Sequence, residues 1–454
     1  MKRSHLAIAM AAAAVLVASA ATAQDQAAHP AMAHLQAYIE TFNAGVPGQM
    51  KAYFATHLAD QALKEIPVEQ RLTRFRSAKA ELKSLEIERV VSDEPGAAAV
   101  LTKAANGEHV LVRATAETSG GRKLLSLALE LVDDPANIVV PEPKSTEAEL
   151  VAAIRGYLEA QAKADEFSGV VLVAKGPRVV FHEAYGLADR DKQVPNKKDT
   201  KFNLGSINKN FTRVAVHQLA REGKLSLDAP IKTYLPDYPN ADAAAKVTVR
   251  HLLNMTSGIG DFFGDRYDAT PKEKIRSLQD YLPLFADRPL EFEPGTANKY
   301  SNGGYIVLGL IIEKASGVDY YTYVREHIFK PCGMADTDAY PRDAGTPNLA
   351  RGYTRPEGGG PRVLNFDTLP GRGSSAGGGY STAADLLKYV LALSDRKIFL
   401  PDAANGLGIA GGAPGINSAL EWDPRSGHTV IVLTNFDPPT AGTAARQIAS
   451  WLPR

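Results

Sequence analysis

The sequence holds a single cysteine, Cys332, so no internal disulfide can form and no cysteine-based zinc site can be built. Set between Phe329 and Met334, that thiol reads as a small buried hydrophobe. Neither sign of charge is in excess, with 51 lysines and arginines against 51 aspartates and glutamates. A chain without a basic surplus is poorly suited to neutralising phosphates, which argues against nucleic acid as the main partner. Metal-ligand spacing is missing as well: His182-Glu183 has no second histidine four residues on, so neither metal nor cofactor is expected. Long apolar runs are also lacking, since none after residue 20 approaches the roughly 20 residues that cross a bilayer.

What is present begins with a leader pattern. Met1-Lys2-Arg3, the apolar stretch Leu6 to Ala20 and the small residues Ala21-Thr22-Ala23 form the three parts of a secretory signal, cleaved after Ala23. The mature protein is therefore expected in the periplasm or outside the cell, with no stable membrane span. A chain of 454 residues should fold as two or three domain equivalents. Composition changes at Asp133-Asp-Pro135 and Pro141-Glu-Pro143, and the stretch 133–149 reads as a linker ending in the capping-box pattern Thr146-x-x-Glu149.

Before the linker, in 24–132, Leu35, Tyr38, Ile39 and Phe42 recur at helical spacing. Strand-like runs follow over 85–91, 98–103, 110–116 and 125–131, with turns at Asn106-Gly107 and Gly120-Gly121. Helices followed by a meander predict a small α+β domain with a curved sheet. Through Ala37-Tyr38-Ile39-Glu-Thr-Phe42-Asn43 and these strands it resembles the nuclear-transport-factor-2-like superfamily. No cluster of acid, base and nucleophile stands out in it. An accessory role follows, either dimerisation, which would make the protein a homo-oligomer, or recognition of the far end of a substrate.

After the linker, 150–454 opens with a helical run from Leu150 to Ala164 and a hairpin, Gly169 to Val173 and Arg178 to Phe181. It closes with strand-like Gly415 to Trp422 and His428 to Asn435, then a helix from Ala441 to Trp451. A long, mostly helical stretch lies between. The expected architecture is α+β: an antiparallel sheet flanked by helices, first and last segments adjacent, with an inserted helical lobe.

One segment carries chemistry. Ser206 follows the strand-like Lys201 to Leu204 and precedes a helix, with Lys209 three positions later on the same helical face. An amine so placed can share the hydroxyl proton and turn a weak nucleophile into a good one. The ordinary alternative is a serine capping a helix.

Further motifs follow in order: His251-Leu-Leu-Asn-Met-Thr256-Ser-Gly258, Phe292-Glu-Pro-Gly295, Tyr300-Ser-Asn302, Lys330-Pro-Cys-Gly-Met334 and Ser375-Ala-Gly-Gly-Gly-Tyr-Ser381. Together with Ser206-Ile-Asn-Lys209 they resemble the serine β-lactamase-related superfamily. The narrower likeness is to its branch of class C β-lactamases, S12 peptidases and family-VIII carboxylesterases. The resemblance implies a β-lactamase/transpeptidase-like fold and an acyl-enzyme on Ser206. It makes Lys209 a buried base or relay. Tyr300 becomes a proton carrier that ionises more easily beside an ammonium, leaving open which of the two takes the first proton. Asn302 would hold Lys209 and substrate, its alternative being a helix cap. Gly411 and Gly412 would bind substrate, with the backbone N–H groups of Ser206 and Gly412 stabilising the oxyanion.

The sequence departs from that family at its third motif. Relatives carry Lys-Thr-Gly, His-x-Gly or Trp-Gly-Gly there; Ile409-Ala-Gly411-Gly412 occupies the matching stretch, and 394–407 is too short for the additional strand and turn. Without a cation at 409 to grip a carboxylate, a small or medium neutral ester becomes the first expected substrate. A β-lactam or D-amino-acid peptide is the second, and a catalytically impaired binding protein of the same fold is the rival from another class. Phe262, Phe263, Tyr267 and Tyr281 either line an acyl pocket or pack as ordinary core. Two motifs are read as coincidences: Gly373-Ser-Ser375-Ala-Gly377, with Asp385 and His428 after it, lacks a leading apolar strand, and Gly406-x-Gly408-x-x-Gly411 lacks a βαβ setting.

Overall fold

The computed structural model describes residues 29–453 apart from 95, 118–121, 133, 134, 136, 137, 139–142, 357 and 358. The leader and the Gly120-Gly121 turn fall outside the described residues, as does much of 133–142. The chain divides into two compact units, one ending at Pro141 and the other beginning at Glu142.

In the first unit, helices α1 (Pro30–Ala44), α2 (Pro47–His57), α3 (Asp60–Glu65) and α4 (Val68–Leu82) precede four strands, β1 (Leu85–Glu94), β2 (Ala97–Ala104), β3 (His109–Ala116) and β4 (Leu124–Val132). The strands pair antiparallel in chain order, β1-β2-β3-β4. Alternation along them puts Val100, Val110, Val112 and Leu124 on one face, where they meet Leu35, Phe42, Phe54 and Phe75 of the helices. That face is the core of the unit.

The second unit starts on α5 (Glu147–Lys163), inside the stretch read as linker. Thr146 caps it in a reciprocal box, its hydroxyl accepting from the Glu149 N–H while the Glu149 carboxylate accepts from the Thr146 N–H. Strands β5 (Gly169–Lys175) and β6 (Arg178–Tyr185) form the expected hairpin. The chain then runs through α6 (Asn208–Arg221), α7 (Asn302–Ser316) and α8 (Ala383–Ser394) before β7 (Leu407–Ala413), β8 (Ile416–Trp422), β9 (His428–Thr434) and α9 (Thr440–Trp451). All five long strands join one antiparallel sheet in the order β7-β8-β9-β5-β6, so the last strand of the chain lies beside the first of this unit.

Both faces of that sheet are covered, which explains the unbroken apolar run Val170-Val-Leu-Val173. Val170 and Leu172 point to the side packed by α6, α7 and α8, whereas Val171 and Val173 meet α5 and α9 on the other. Helix α6 is enclosed on nearly every side, with Phe211, Val214, Ala215, Val216 and Leu219 all buried. Phe211 stands edge-on to Phe329 and Tyr389, at centroid distances of 5.0 and 5.1 Å. Phe211→Ala should cost ~3–5 kcal/mol of stability through lost burial and the cavity left behind. A chemical-denaturation midpoint for the second unit that fails to move would show that α6 does not depend on this packing.

Candidate active site

Ser206 sits where two short elements meet. Phe202 and Asn203 pair antiparallel with Ser381 and Tyr380, and Gly205 to Ile207 make a single tight turn that leads into α6. Gly205 adopts φ +51°, and a side chain there would stand 2.9 Å from the Gly412 amide nitrogen. Lys209, in the first turn of α6, is only 5% exposed. Its Nζ lies 3.1 Å from Ser206 Oγ and donates to Asn302 Oδ1 at 2.7 Å and to the Ala376 carbonyl at 2.5 Å. On the other side of the serine, Tyr300 Oη lies 2.5 Å from Oγ. The three residues expected to do the chemistry are thus in mutual contact, although 300 and 206 are 94 positions apart.

The start of α7 positions two of these groups. Ser301 is the cap, its hydroxyl accepting from the Gly304 N–H and donating to the Gly260 carbonyl. Asn302 is the first helical residue, so its amide is free for Lys209; the capping alternative belongs to its neighbour. Asn302 Nδ2 donates in turn to Asp261 Oδ2 at 2.7 Å, which fixes the amide with its oxygen towards the lysine. Asp261 escaped the sequence reading. A lone acid after Gly258-Ile-Gly260 has no periodicity, and its nearness to the Thr256-Ser-Gly258 motif was the only available signal.

Burial acts on the two ionisable groups in opposite directions, because it disfavours the charged form of each. It lowers the Lys209 pKa to about 7, with the Asp261 charge pulling weakly the other way. It raises that of Tyr300, an effect that the Ser206 hydrogen bond reduces and Asp261 reinforces. This corrects the expectation of an easily ionised phenol. Burial outweighs any help from the neighbouring amine, even with Lys209 Nζ 4.7 Å from the centre of the Tyr300 ring.

Strand β7 closes the site. It pairs with β8 without a break from Leu407↔Trp422 to Ala413↔Ile416, so the short connection after α8 is absorbed before the strand reaches the serine. Gly411 lies against the nucleophile turn: a side chain there would stand 2.0 Å from the Leu204 carbonyl oxygen and 2.8 Å from the Ser206 nitrogen. Ser418 on β8 donates to the same Leu204 carbonyl at 2.7 Å. The Ile409 side chain is half-buried and packs against the main core.

A cleft of about 770 Å³ opens in front of Ser206, lined by Tyr300, Asn302, Gly411 and Gly412 and, further out, by Phe262, Phe263, Tyr267 and Tyr281. These four rings contact one another at centroid distances of 4.4 to 5.7 Å and so serve as both lining and core. Arg342 is the one basic side chain among the described lining residues. Its guanidinium lies over the Phe366 ring and donates to the carbonyls of Phe366 and Leu369.

The coincidental motifs fall elsewhere. Ser375 is fully buried and donates to the Tyr305 carbonyl, Asp385 accepts from Thr337 and Lys388, and His428 lies on β9; no Ser-His-Asp relay links them. Gly406 to Gly411 runs from a 3₁₀ turn into β7, not from a strand into a helix. Cys332 is buried, and desolvation pushes its thiol up to about 11.

Residues 152–408 match the Beta-lactamase family model, more than half of the chain. The protein belongs to that family, among hydrolases built on the serine β-lactamase fold. It is 36% identical over 191 residues to penicillin-binding protein 4* of Bacillus subtilis, spanning 42% of each chain. It is 33% identical over 263 residues to esterase EstB of Burkholderia gladioli, 51% of this chain and 67% of that one. A solved penicillin-binding protein from Bacillus halodurans superposes with a TM-score of 0.59 at 30% identity, covering 64% of this chain and 99% of the other.

Gly411→Ala should lower hydrolytic turnover by on the order of 10²–10³, the loss seen when an oxyanion donor is misplaced, with the circular dichroism spectrum retained. A variant with unchanged turnover would show that β7 does not set the position of Ser206.

Proposed function

We propose that this protein is a serine hydrolase that forms an acyl-enzyme on Ser206 and releases it with water. The observation that carries this reading is the double contact of Ser206 Oγ, with Lys209 Nζ on one side and Tyr300 Oη on the other, at the head of a cleft. A neutral amine at Lys209 gives its two N–H bonds to Asn302 and the Ala376 carbonyl, and its lone pair then faces the serine O–H. Lys209 is the better candidate for first base, since its pKa of about 7 leaves a large neutral fraction at neutral pH. Tyr300, kept protonated by burial, can pass its hydroxyl proton to the leaving group, and the proton that Lys209 took from Ser206 then replaces it. The backbone N–H groups of Ser206 and Gly412 are the oxyanion donors in this scheme.

The substrate class is a neutral ester with an apolar acyl group. The cleft is aromatic, its one arginine is held by two carbonyls, and Ile409 supplies no cation for a carboxylate. The leader pattern at 1–23 supports action in the periplasm or outside the cell, and the first unit is assigned an accessory role.

A fluorophosphonate probe should label the protein at Ser206, with labelling lost in a folded Ser206→Ala variant; an unlabelled, folded wild type would instead indicate a binding protein. p-Nitrophenyl butyrate should be turned over at least ~10-fold more efficiently than a chromogenic cephalosporin, given the roughly 1–3 kcal/mol that a missing pocket contact costs a substrate. The reverse order would make the β-lactam reading the better one.

The pH profile tests the base. Lys209 acts when deprotonated, so kcat/KM should rise about tenfold per pH unit below a pKa of about 7 and level off above it. Asp261 raises the proton affinity of Lys209, so Asp261→Asn should move this limb to lower pH. A limb that stays in place would remove Lys209 or its coupling to Asp261 from the mechanism.

A further inference from the structure

The first unit contains a cavity of about 360 Å³ that takes no part in the chemistry at Ser206. It lies between α4 and β4. Strand β4 is the edge of its sheet, and its inward-facing Leu127 and Leu129, opposite Ala114 and Val112, are only partly buried. Phe54 and Phe75 complete the apolar lining. The volume falls at the lower end of small-molecule sites, roughly 300–1,000 Å³.

Two kinds of polar group join this lining. Tyr38 is 3% exposed, packed against Phe42, Tyr53 and Phe54, and its hydroxyl has no hydrogen-bond partner among the described residues. The neighbouring Tyr53, by contrast, donates to the His34 carbonyl. The Tyr38 side chain lines the cavity, so its unengaged hydroxyl is available to donate to a ligand oxygen there. Arg71 and Arg74 of α4 also line the cavity. Arg71 is anchored by the Ala62 and Ile66 carbonyls, while Arg74 is exposed and makes no ion pair among the described residues. No carboxylate belongs to the described lining. The cavity is therefore apolar and aromatic inside, cationic along α4, and carries one idle O–H donor.

We propose that this cavity binds an amphipathic monocarboxylate, a medium-chain or aryl-substituted acid. Its carboxylate is drawn to Arg71 and Arg74 and takes the Tyr38 hydroxyl proton as a hydrogen bond. Its apolar body lies against Phe54, Phe75 and the two leucines. Binding there needs no turnover at Ser206, although an ester hydrolase releases acids of this class.

Calorimetric titration of decanoate into the full chain, below its micellar concentration, tests the assignment. One site per chain is expected. Arg74→Gln, on an exposed helical position, should weaken binding about tenfold, the scale of one charge-assisted contact. Tyr38→Phe should weaken it several-fold, and decanol, with the same body and no charge, should bind about tenfold less well than decanoate. Phe263→Ala, which alters only the cleft of the second unit, should leave the affinity unchanged. Absence of binding, equal affinity for decanol, or a loss in Phe263→Ala with none in Arg74→Gln would overturn the proposal. If Tyr38→Phe proves unfolded by melting, the Arg74 and decanol comparisons still decide.

Discussion

The burial of one amine is the constraint on which the second unit depends. Lys209 is tolerated inside the protein because its N–H groups meet Asn302 and the Ala376 carbonyl, and because the first turn of α6 aims it at the Ser206 hydroxyl. Those partners arrive from three separate stretches of chain. Helix α6 must be enclosed by α7, α8 and the sheet for the amine to be dry, and that enclosure is what moves its proton affinity to a useful range. The apolar core and the reactive serine are thus one structure viewed from two sides.

The same desolvation separates the tasks of two neighbours. Removing water makes the amine easier to deprotonate and the phenol harder, so one group is poised to receive a proton and the other to deliver it. Asp261 tempers this without touching either residue. It accepts from Asn302, orients that amide, and returns part of the positive charge to Lys209 through the field. The outer cleft is mainly aromatic; of its two charged lining residues, Asp268 and Arg342, the arginine donates to backbone carbonyls.

Much of this was legible in the residues. Apolar runs bounded by turn residues marked the strands, and the box at Thr146 marked the start of α5, although the linker was drawn a few residues too far. Ser206, Lys209, Tyr300 and Asn302 could be named because their chemistry is tied to short, ordered motifs. Gly411 could be named because the resemblance placed it in the family's third motif; that it lets β7 press on the Ser206 turn came from the structure. What could not be read was tertiary. Asp261 matters only through the amide it orients, and the direction of the Tyr300 shift depends on how dry the site is. The short connection after α8 looked like damage, whereas the paired register shows β7 in place beside the nucleophile turn. The cavity of the first unit was invisible for a similar reason: Arg74 and Tyr38 sit on different helices and share no motif.

The placement of β9 between β8 and β5 has a further implication for when the molecule becomes reactive. The turn bearing Ser206 leans on β7 and is tied through Leu204 to Ser418 of β8, and both strands reach the sheet only by way of β9, far downstream of Ser206. A chain still emerging from the ribosome therefore carries its serine and lysine well before the strands that brace their turn. Competence is conferred by the last hairpin to dock. Without β7 to β9 the Ser206 turn would lack the strand it rests on and the hydrogen bond that ties it to the sheet.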